Sequence, residues 1–416
     1  MSTVAETSRA LAGARPTAGV LAPFLFYGVV SLALISPWVV WFYWPAGGGL
    51  DVTGHQIGRD FINVWAGPRL AFGGRLATLF DLDGYHAAIG ALFGHPLPFH
   101  NWGYPLFTLP AFWPLAELPY FVALAVWTVG LFAVFAAVAL APVDRPQRAY
   151  ALLALALAPA CLINAIGGQN GFLSAALFLG GILAIDRRPV LAGILFGLLT
   201  FKPHLGVVVP FALLALRAWR VIAAAAVTAM VLVAISVAMF GIEPWRQYLE
   251  VTSGYQVMLL ERFHGFYTSM MVSGVAAART FGIAYPVALM LQIALAVPVL
   301  AAACWAVRQT SDPCCRAFVL ASATPLVTPY AFNYDLTALT AVLVWQLCRP
   351  SAPDQLGRNL ILFLGWMTPA LAMYLNVSGL GLAPFALAAV FVLSVREAAR
   401  DGVGVRRVSM PAPAVP

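Results

Sequence analysis

Charge is scarce in this 416-residue chain: Asp, Glu, Lys and Arg make up 9% of it, against about 25% in a soluble domain. With 62% hydrophobic residues and a mean hydropathy of +0.88, it carries more apolar surface than a water-soluble core can hide. Lysine is nearly missing, since Lys202 is the one lysine among 23 basic residues. The five cysteines (Cys161, Cys304, Cys314, Cys315 and Cys348) have neither zinc-type CxxC spacing nor a plausible disulfide framework. Period-two alternation is absent, which argues against a membrane β-barrel. There is no soluble domain and no visible internal repeat. What remains is an all-α polytopic membrane protein, its long Ala, Leu, Val and Phe runs facing lipid or one another.

The N-terminus is too polar, and the first apolar run too long and aromatic, for a cleaved signal peptide, so that run reads as an uncleaved span over roughly 20–44. It ends in the interfacial cluster Trp38, Trp41, Phe42, Tyr43 and Trp44. A polar loop follows over 45–104, then an apolar stretch over 104–141. Pro105, Pro110, Pro114 and Pro119 break that stretch into one kinked span or two short ones. Further apolar runs lie near 150–166, 171–186, 190–216, 221–241, 268–307, 316–330, 335–348, 359–376 and 379–395. The expected architecture is a bundle of ten to twelve membrane helices over 1–396, with surface helices in the first loop. A short disordered cytoplasmic tail is expected over 397–416.

Arginines cluster at run ends: Arg9 and Arg15, Arg145 and Arg148, Arg187 and Arg188, Arg217 and Arg220, Arg308 and Arg316, Arg349 and Arg358, and those from Arg396 onward. The positive-inside rule places these, and the N-terminus, in the cytoplasm. The net charge of +7 is thus a topology signal and implies no nucleic-acid partner. The same topology puts all six histidines outside, together with Asp51, Asp60, Asp81, Asp83 and Asp335.

The first loop carries the densest chemistry. Asp60 opens a helix-like stretch through Trp65, Arg69 and Leu70 that would lie along the membrane surface. A carboxylate there can act as a base or cap the helix, and position alone favours neither. Lys202 lies between two apolar pieces, where an ammonium is costly unless used, paired or snorkelled to an interface. Pro203 breaks the helix and frees backbone groups to line a cavity, and His204 adds a donor. Gln169 and Asn170, between glycines, could bind sugar hydroxyls or simply cap a turn. Asp335 could cap the next helix or, with Tyr334, meet a ligand. Arg246, Tyr255, Arg262, His264 and Arg279 could hold a phosphate or an acceptor. The spacing of His86, His95 and His100, with Asp81 and Asp83, matches no familiar metal site, and neither metal nor cofactor is expected.

Several motifs, in order, resemble glycosyltransferase family 87. They are Asp60-Phe61 with Trp65-Ala66, Arg69-Leu70, Gly73 and Leu79-Phe80-Asp81, then Tyr104-Pro105, then Gly168-Gln169-Asn170-Gly171. Ala192-Gly193 with Lys202-Pro203 and a run ending at Arg217-Ala218-Trp219-Arg220 follows, and Thr328-Pro329-Tyr330 is a weaker match. Trp65 stands where the family more often has Tyr. The resemblance implies a GT-C-type membrane enzyme in a bacterial inner membrane. Such an enzyme moves a sugar, mannose or another hexose or pentose, from a polyprenyl-phosphate donor, with inversion, at the periplasmic face. The acceptor hydroxyl would belong to a glycolipid, polysaccharide or protein. Asp60 would be the general base. Lys202, His204 and Arg69 would neutralise the leaving phosphate. Gln169, Asn170, Tyr334, Asp335, Arg262 and His264 would contact sugar or acceptor. The competing reading is a transporter or lipid-linked-sugar flippase, which should show matched broken helices in two halves.

Overall fold

A computed structural model of the chain describes residues 18–409 apart from 99, 263–264 and 350–355, and gives the backbone alone at 18–22, 24, 266 and 402–409. It is 78% helical with almost no strand, the form in which a segment in hydrocarbon satisfies its own backbone. α1 (Ala18–Trp38) runs on through a widened turn to Tyr43. A two-stranded hairpin follows, β1 (Pro45–Gly47) with β2 (Leu50–Asp51). Then come α2 (Phe61–Leu70), α3 (Leu82–Phe93), α4 (Thr108–Ala116) and α5 (Tyr120–Leu140). α6 (Arg148–Leu157) and α7 (Pro159–Ile166) meet at a 56° bend. α8 (Gly171–Ala184), α9 (Pro189–Leu198), α10 (Val209–Ala215), α11 (Trp219–Phe240), α12 (Ser253–Arg262) and α13 (Gly274–Thr280) lead to the last five. These are α14 (Tyr285–Val307), α15 (Pro313–Val327), α16 (Thr337–Cys348), α17 (Leu356–Val377) and α18 (Ala383–Ser409).

Among the described residues, five helices are long and apolar enough to cross a bilayer (α1 with its extension, α5, α11, α14 and α17), and the bent pair α6–α7 makes a sixth if it is one span. These cover about half of the runs read from the sequence. Of the other runs, proline divides some, 171–186 and 335–348 hold the short but unbroken α8 and α16, and the last lies in the 27-residue α18. Pro159 forces Ala158 out of the helical region, to φ −67° and ψ 139°, and Pro203 does the same to Lys202, at φ −136° and ψ 71°. The apolar run over 104–141 resolves into the short, half-buried α4 and the long α5, parted at Glu117–Pro119.

Two expectations are corrected. α2 does not lie on a surface with one apolar face: nine of its ten residues are buried. Its sequence, FINVWAGPRL, offers only Asn63 and Arg69 as polar side chains, too few for a wet face. Nor is the stretch after Arg396 irregular through Ser409, since α18 runs on to that residue. Ala398 is fully buried and Glu397 pairs with Arg358 at 2.9 Å, which anchors the continuation. Residues 410–416 lie outside the described residues, as do Arg9 and Arg15.

The bundle has two chemically different ends. α8 begins just after Gln169-Asn170 and ends near Asp186; its 14 residues rise ~21 Å. Asp186 pairs with Arg316 at 2.8 Å near the start of α15, and Arg349 beyond the end of α16 pairs with Asp312. Asp335 stands before α16, and Tyr330 follows the end of α15. Arginine–carboxylate pairs therefore tie one end together, while Gln169, Asn170, Lys202, Tyr330 and Asp335 gather at the other. Gly193 lets α9 pack directly on α11: an added Cβ would come within 2.6 Å of the Val221 carbonyl oxygen.

Candidate active site

Asp60 stands at the N-cap position, just before α2, with its own backbone already helical (φ −68°, ψ −15°), and its carboxylate accepts no capping bond. An aspartate serving as a cap adopts extended backbone and takes an amide of the first turn. Here the carboxylate is left for the cavity, where Gln169 Nε2 donates a hydrogen bond to Oδ2. The preceding turn aims it: Gly58 has φ +90° and Arg59 φ +34°. A non-glycine residue held there costs about 1–3 kcal/mol and persists only where its surroundings over-determine it. The Arg59 guanidinium is gripped by Asp51 at 2.8 Å, by Thr53 Oγ1 at 3.1 Å and by the Phe42 carbonyl. It also lies 4.1 Å over the Tyr43 ring.

The Gln169-Asn170 turn is pressed against this loop. Gly168 (φ +59°) sits where an added Cβ would collide with the Gly58 carbonyl and come 2.8 Å from Phe61 Cβ, so only glycine allows both the turn and the approach. Trp127 Nε1 donates to the Gly168 carbonyl at 3.1 Å. Asn170 Nδ2 donates to Tyr104 OH at 2.9 Å, and its Oδ1 accepts from Lys202 Nζ at 2.9 Å.

Lys202 does not snorkel. It is 8% exposed, 2.6 Å from Asp335 Oδ1 and 5.1 Å over the Tyr334 ring. Asp335 in turn accepts the Phe332 N–H at 3.0 Å on its other oxygen. His204 packs edge-on against Tyr330 with ring centroids 5.3 Å apart, and its buried Nε2 has no hydrogen-bond partner. Tyr330 OH is 2.6 Å from Tyr267 OH. Burial pushes the Tyr267 and Tyr104 phenols upward, so both remain protonated.

These residues surround two adjoining chambers. The larger, about 490 Å³, is lined by Asp60, Tyr104, Asn170, Lys202, His204 and Tyr330 among others. The smaller, about 380 Å³, is lined by Asp60, Tyr43, His55, Arg59, His100 and Tyr255 among others. Asp60, Asn63, Asn101, Gln169, Tyr267 and Tyr334 border both. Asp335 and Asp51 border neither chamber; each backs, from behind, the cation that does.

Of the residues singled out from sequence, Asp60, Gln169, Asn170, Lys202, His204 and Tyr334 converge here, with Asp335 as the lysine's partner. Arg69 lines neither chamber: it stacks on Trp65 at 4.1 Å and donates to the Leu118 carbonyl at 3.3 Å. Trp65 is spoken for as well, donating to the same carbonyl at 2.9 Å. Arg262, in the last turn of α12, is exposed and lines neither chamber, and His264 lies outside the described residues. Sequence reading passed over Asn63, Asn101, Tyr267 and the roles of Tyr43, His55 and His100. They come from five different segments, and no local pattern joins them.

A helical membrane protein with a buried, two-chambered polar site at one end of its bundle is the class that the fold defines. The model of glycosyltransferase family 87 matches residues 102–329, more than half of the chain, and the chain belongs to that family: it is a glycosyltransferase. The match takes in Tyr104, the Gln169-Asn170 turn and Lys202-Pro203; Asp60 and Asp335 lie outside it. No curated protein and no solved structure matches the chain.

Proposed function

We propose that the protein transfers a sugar from a polyprenyl-phosphate donor to an acceptor hydroxyl, with inversion, at the outer face of a bacterial inner membrane, and that Asp60 is the general base. One observation carries the reading: Asp60 occupies a helix start without capping it and turns its carboxylate to the boundary of two chambers, one of which contains Lys202. In this chemistry the acceptor oxygen bonds to the anomeric carbon as the carbon–phosphate oxygen bond breaks, its electron pair leaving on the phosphate. The hydroxyl proton passes to Asp60 Oδ1 or Oδ2, and the Gln169 amide keeps the carboxylate aimed. Lys202 supplies the fixed positive charge that such a leaving group needs. The outer location is supported by the arginine-rich opposite end of the bundle, which suits the cytoplasm. Mannose or another hexose or pentose meets the same requirements.

The test is sugar transfer by purified Asp60→Asn, with labelled polyprenyl-phosphate sugars offered one at a time. Asparagine keeps the size but cannot take a proton, so turnover should fall by roughly two orders of magnitude or more while donor binding stays intact. Undiminished turnover would remove Asp60 from the mechanism.

A further inference from the structure

Beside the two chambers lies a third cavity, of about 760 Å³, that neither Asp60 nor Lys202 lines. The ends of α17 and of the extended α1 form part of its wall, and there Trp41 is 61% and Val377 65% exposed. Both helices are long and apolar enough to cross a bilayer, and an aromatic cluster with Trp38 and Trp41 belongs at headgroup level. The rest of the lining is partly polar and includes Ser269, Asn376 and Arg279. Arg279, which the sequence offers as a phosphate ligand, lines this cavity and neither chamber. We propose that the cavity holds one resident phospholipid, its phosphodiester on Arg279, and that this lipid braces α12, the helix between it and the active site.

The chemistry of the wall selects that occupant. No carboxylate lines the cavity, so an anion there meets a guanidinium and no like charge; basic pockets between membrane helices take lipid headgroups in this way. Asn376 Nδ2 donates to the Ser269 and Met271 carbonyls at 3.0 and 2.8 Å, which ties the polar part of the wall to α17 before any ligand arrives. A soluble anion would leave Trp41 and Val377 uncovered, whereas acyl chains cover them while the phosphate meets Arg279. A reacting sugar donor belongs elsewhere. Leu259 lines this cavity and the smaller chamber, and Leu260 this cavity and the larger, so α12 stands between a phosphate here and Asp60. The lipid acts on α12 through Arg279 Nη1, which donates to the Leu260 carbonyl. That carbonyl is in the last turn of α12, where the helix itself supplies no donor. A phosphodiester that fixes the guanidinium fixes this cap, and with it Tyr255 and Gln256, which line the smaller and the larger chamber.

The experiment uses the full-length protein, stripped of lipid in detergent, with palmitoyl-oleoyl phosphatidylglycerol added back. Retained lipid is counted by native mass spectrometry, and amide hydrogen exchange is followed over α12, residues 253–262. One phosphatidylglycerol should be held more tightly than any other, and exchange over α12 should slow as it binds. Arg279→Gln should weaken that binding about tenfold or more, the loss of a charge-assisted contact, and abolish the slowing. Ser378→Trp, which places an indole in the cavity from an exposed position, should also displace the lipid while leaving Arg279 in place, so a folding defect of the arginine variant does not decide the outcome. Dioleoylglycerol, which lacks the phosphate, and glycerol 3-phosphate, which lacks the chains, should neither compete nor slow exchange. Phosphatidylglycerol binding unchanged in both variants, equal binding of dioleoylglycerol or glycerol 3-phosphate, tighter retention of a polyprenyl phosphate, or α12 exchange indifferent to lipid would each overturn the proposal. None of these readouts involves sugar transfer, so the Asp60→Asn result stands or falls separately.

Discussion

Removing the Lys202–Asp335 pair in two stages separates what the lysine does for the fold from what it does for the reaction. The ammonium and carboxylate are 2.6 Å apart with side chains 10% and 2% exposed. Deleting one partner strands the other as an uncompensated buried charge, at a cost of about 3–5 kcal/mol. Lys202→Met and Asp335→Asn should therefore each melt well below the parent in a detergent-stability assay. The double variant leaves no buried charge, and its asparagine can still accept the Phe332 N–H that Asp335 now takes at 3.0 Å. It should recover most of that loss, because neutral replacement of a buried pair is often close to isoenergetic. Transfer activity should not recover with it. If Lys202 meets the leaving phosphate, the folded double variant loses about 10²–10³-fold in turnover, the usual penalty for removing one preorganised electrostatic contact. A double variant that is stable and turns over normally would reduce Lys202 to a structural ion and refute the phosphate role. A double variant no more stable than the singles would refute the buried-charge reasoning itself.

Asp51→Asn should lower both stability and turnover, since it releases the Arg59 grip that holds the strained turn before Asp60. Asp81→Asn should stay near wild type in melting and transfer, because Asp81 caps α3 through the Gly84 N–H at 3.1 Å and asparagine caps as well. Gln169→Ala should cost roughly tenfold in turnover, about one hydrogen bond, clearly less than Asp60→Asn. With His55 held at about 4 against an unfolded value near 6.5, the unfolded chain binds the extra proton in between. Melting temperature should accordingly fall as pH drops from about 6.5 towards 4, and His55→Gln should flatten that slope. In intact spheroplasts an impermeant thiol reagent should label a cysteine at 55 and reach one at 187 only after lysis; the opposite pattern would invert the proposed orientation.

The parts of the fold that depend on local rules were legible in the sequence. Hydropathy and scarce charge required a helical membrane protein, and the Lys202-Pro203 break followed from the steric effect of proline on its neighbour. The Gly168-Gln169-Asn170-Gly171 segment read as a polar turn at a helix start, as it is. Hydropathy could not tell a run that faces lipid from one that faces protein. α2 was misjudged on that account: its apolar side chains on every side meet other loop and helix residues.

The site was half legible for a physical reason. Single residues with an evident cost, a lone lysine among apolar runs or an aspartate at a helix start, stand out in one dimension because burial must be compensated. Their compensation does not stand out. Asp335 is separated from Lys202 by 133 positions, and Gln169 from Asp60 by 109; tertiary packing brings each pair within bonding distance. The same holds for Asp51, which in sequence looks like an unassigned loop carboxylate equivalent to Asp81. In the fold Asp51 is 3% exposed and grips Arg59, while Asp81 caps an exposed turn. A carboxylate's role here is thus set by what its oxygens already hold. Those of Asp51, Asp81 and Asp335 hold an arginine, a helix amide and a lysine with an amide. Among the described residues Asp60 accepts the Gln169 amide alone, as Asp81 accepts one helix amide, but Asp60 does so at an open cavity wall, and that position is what fits it to the proposed role of base.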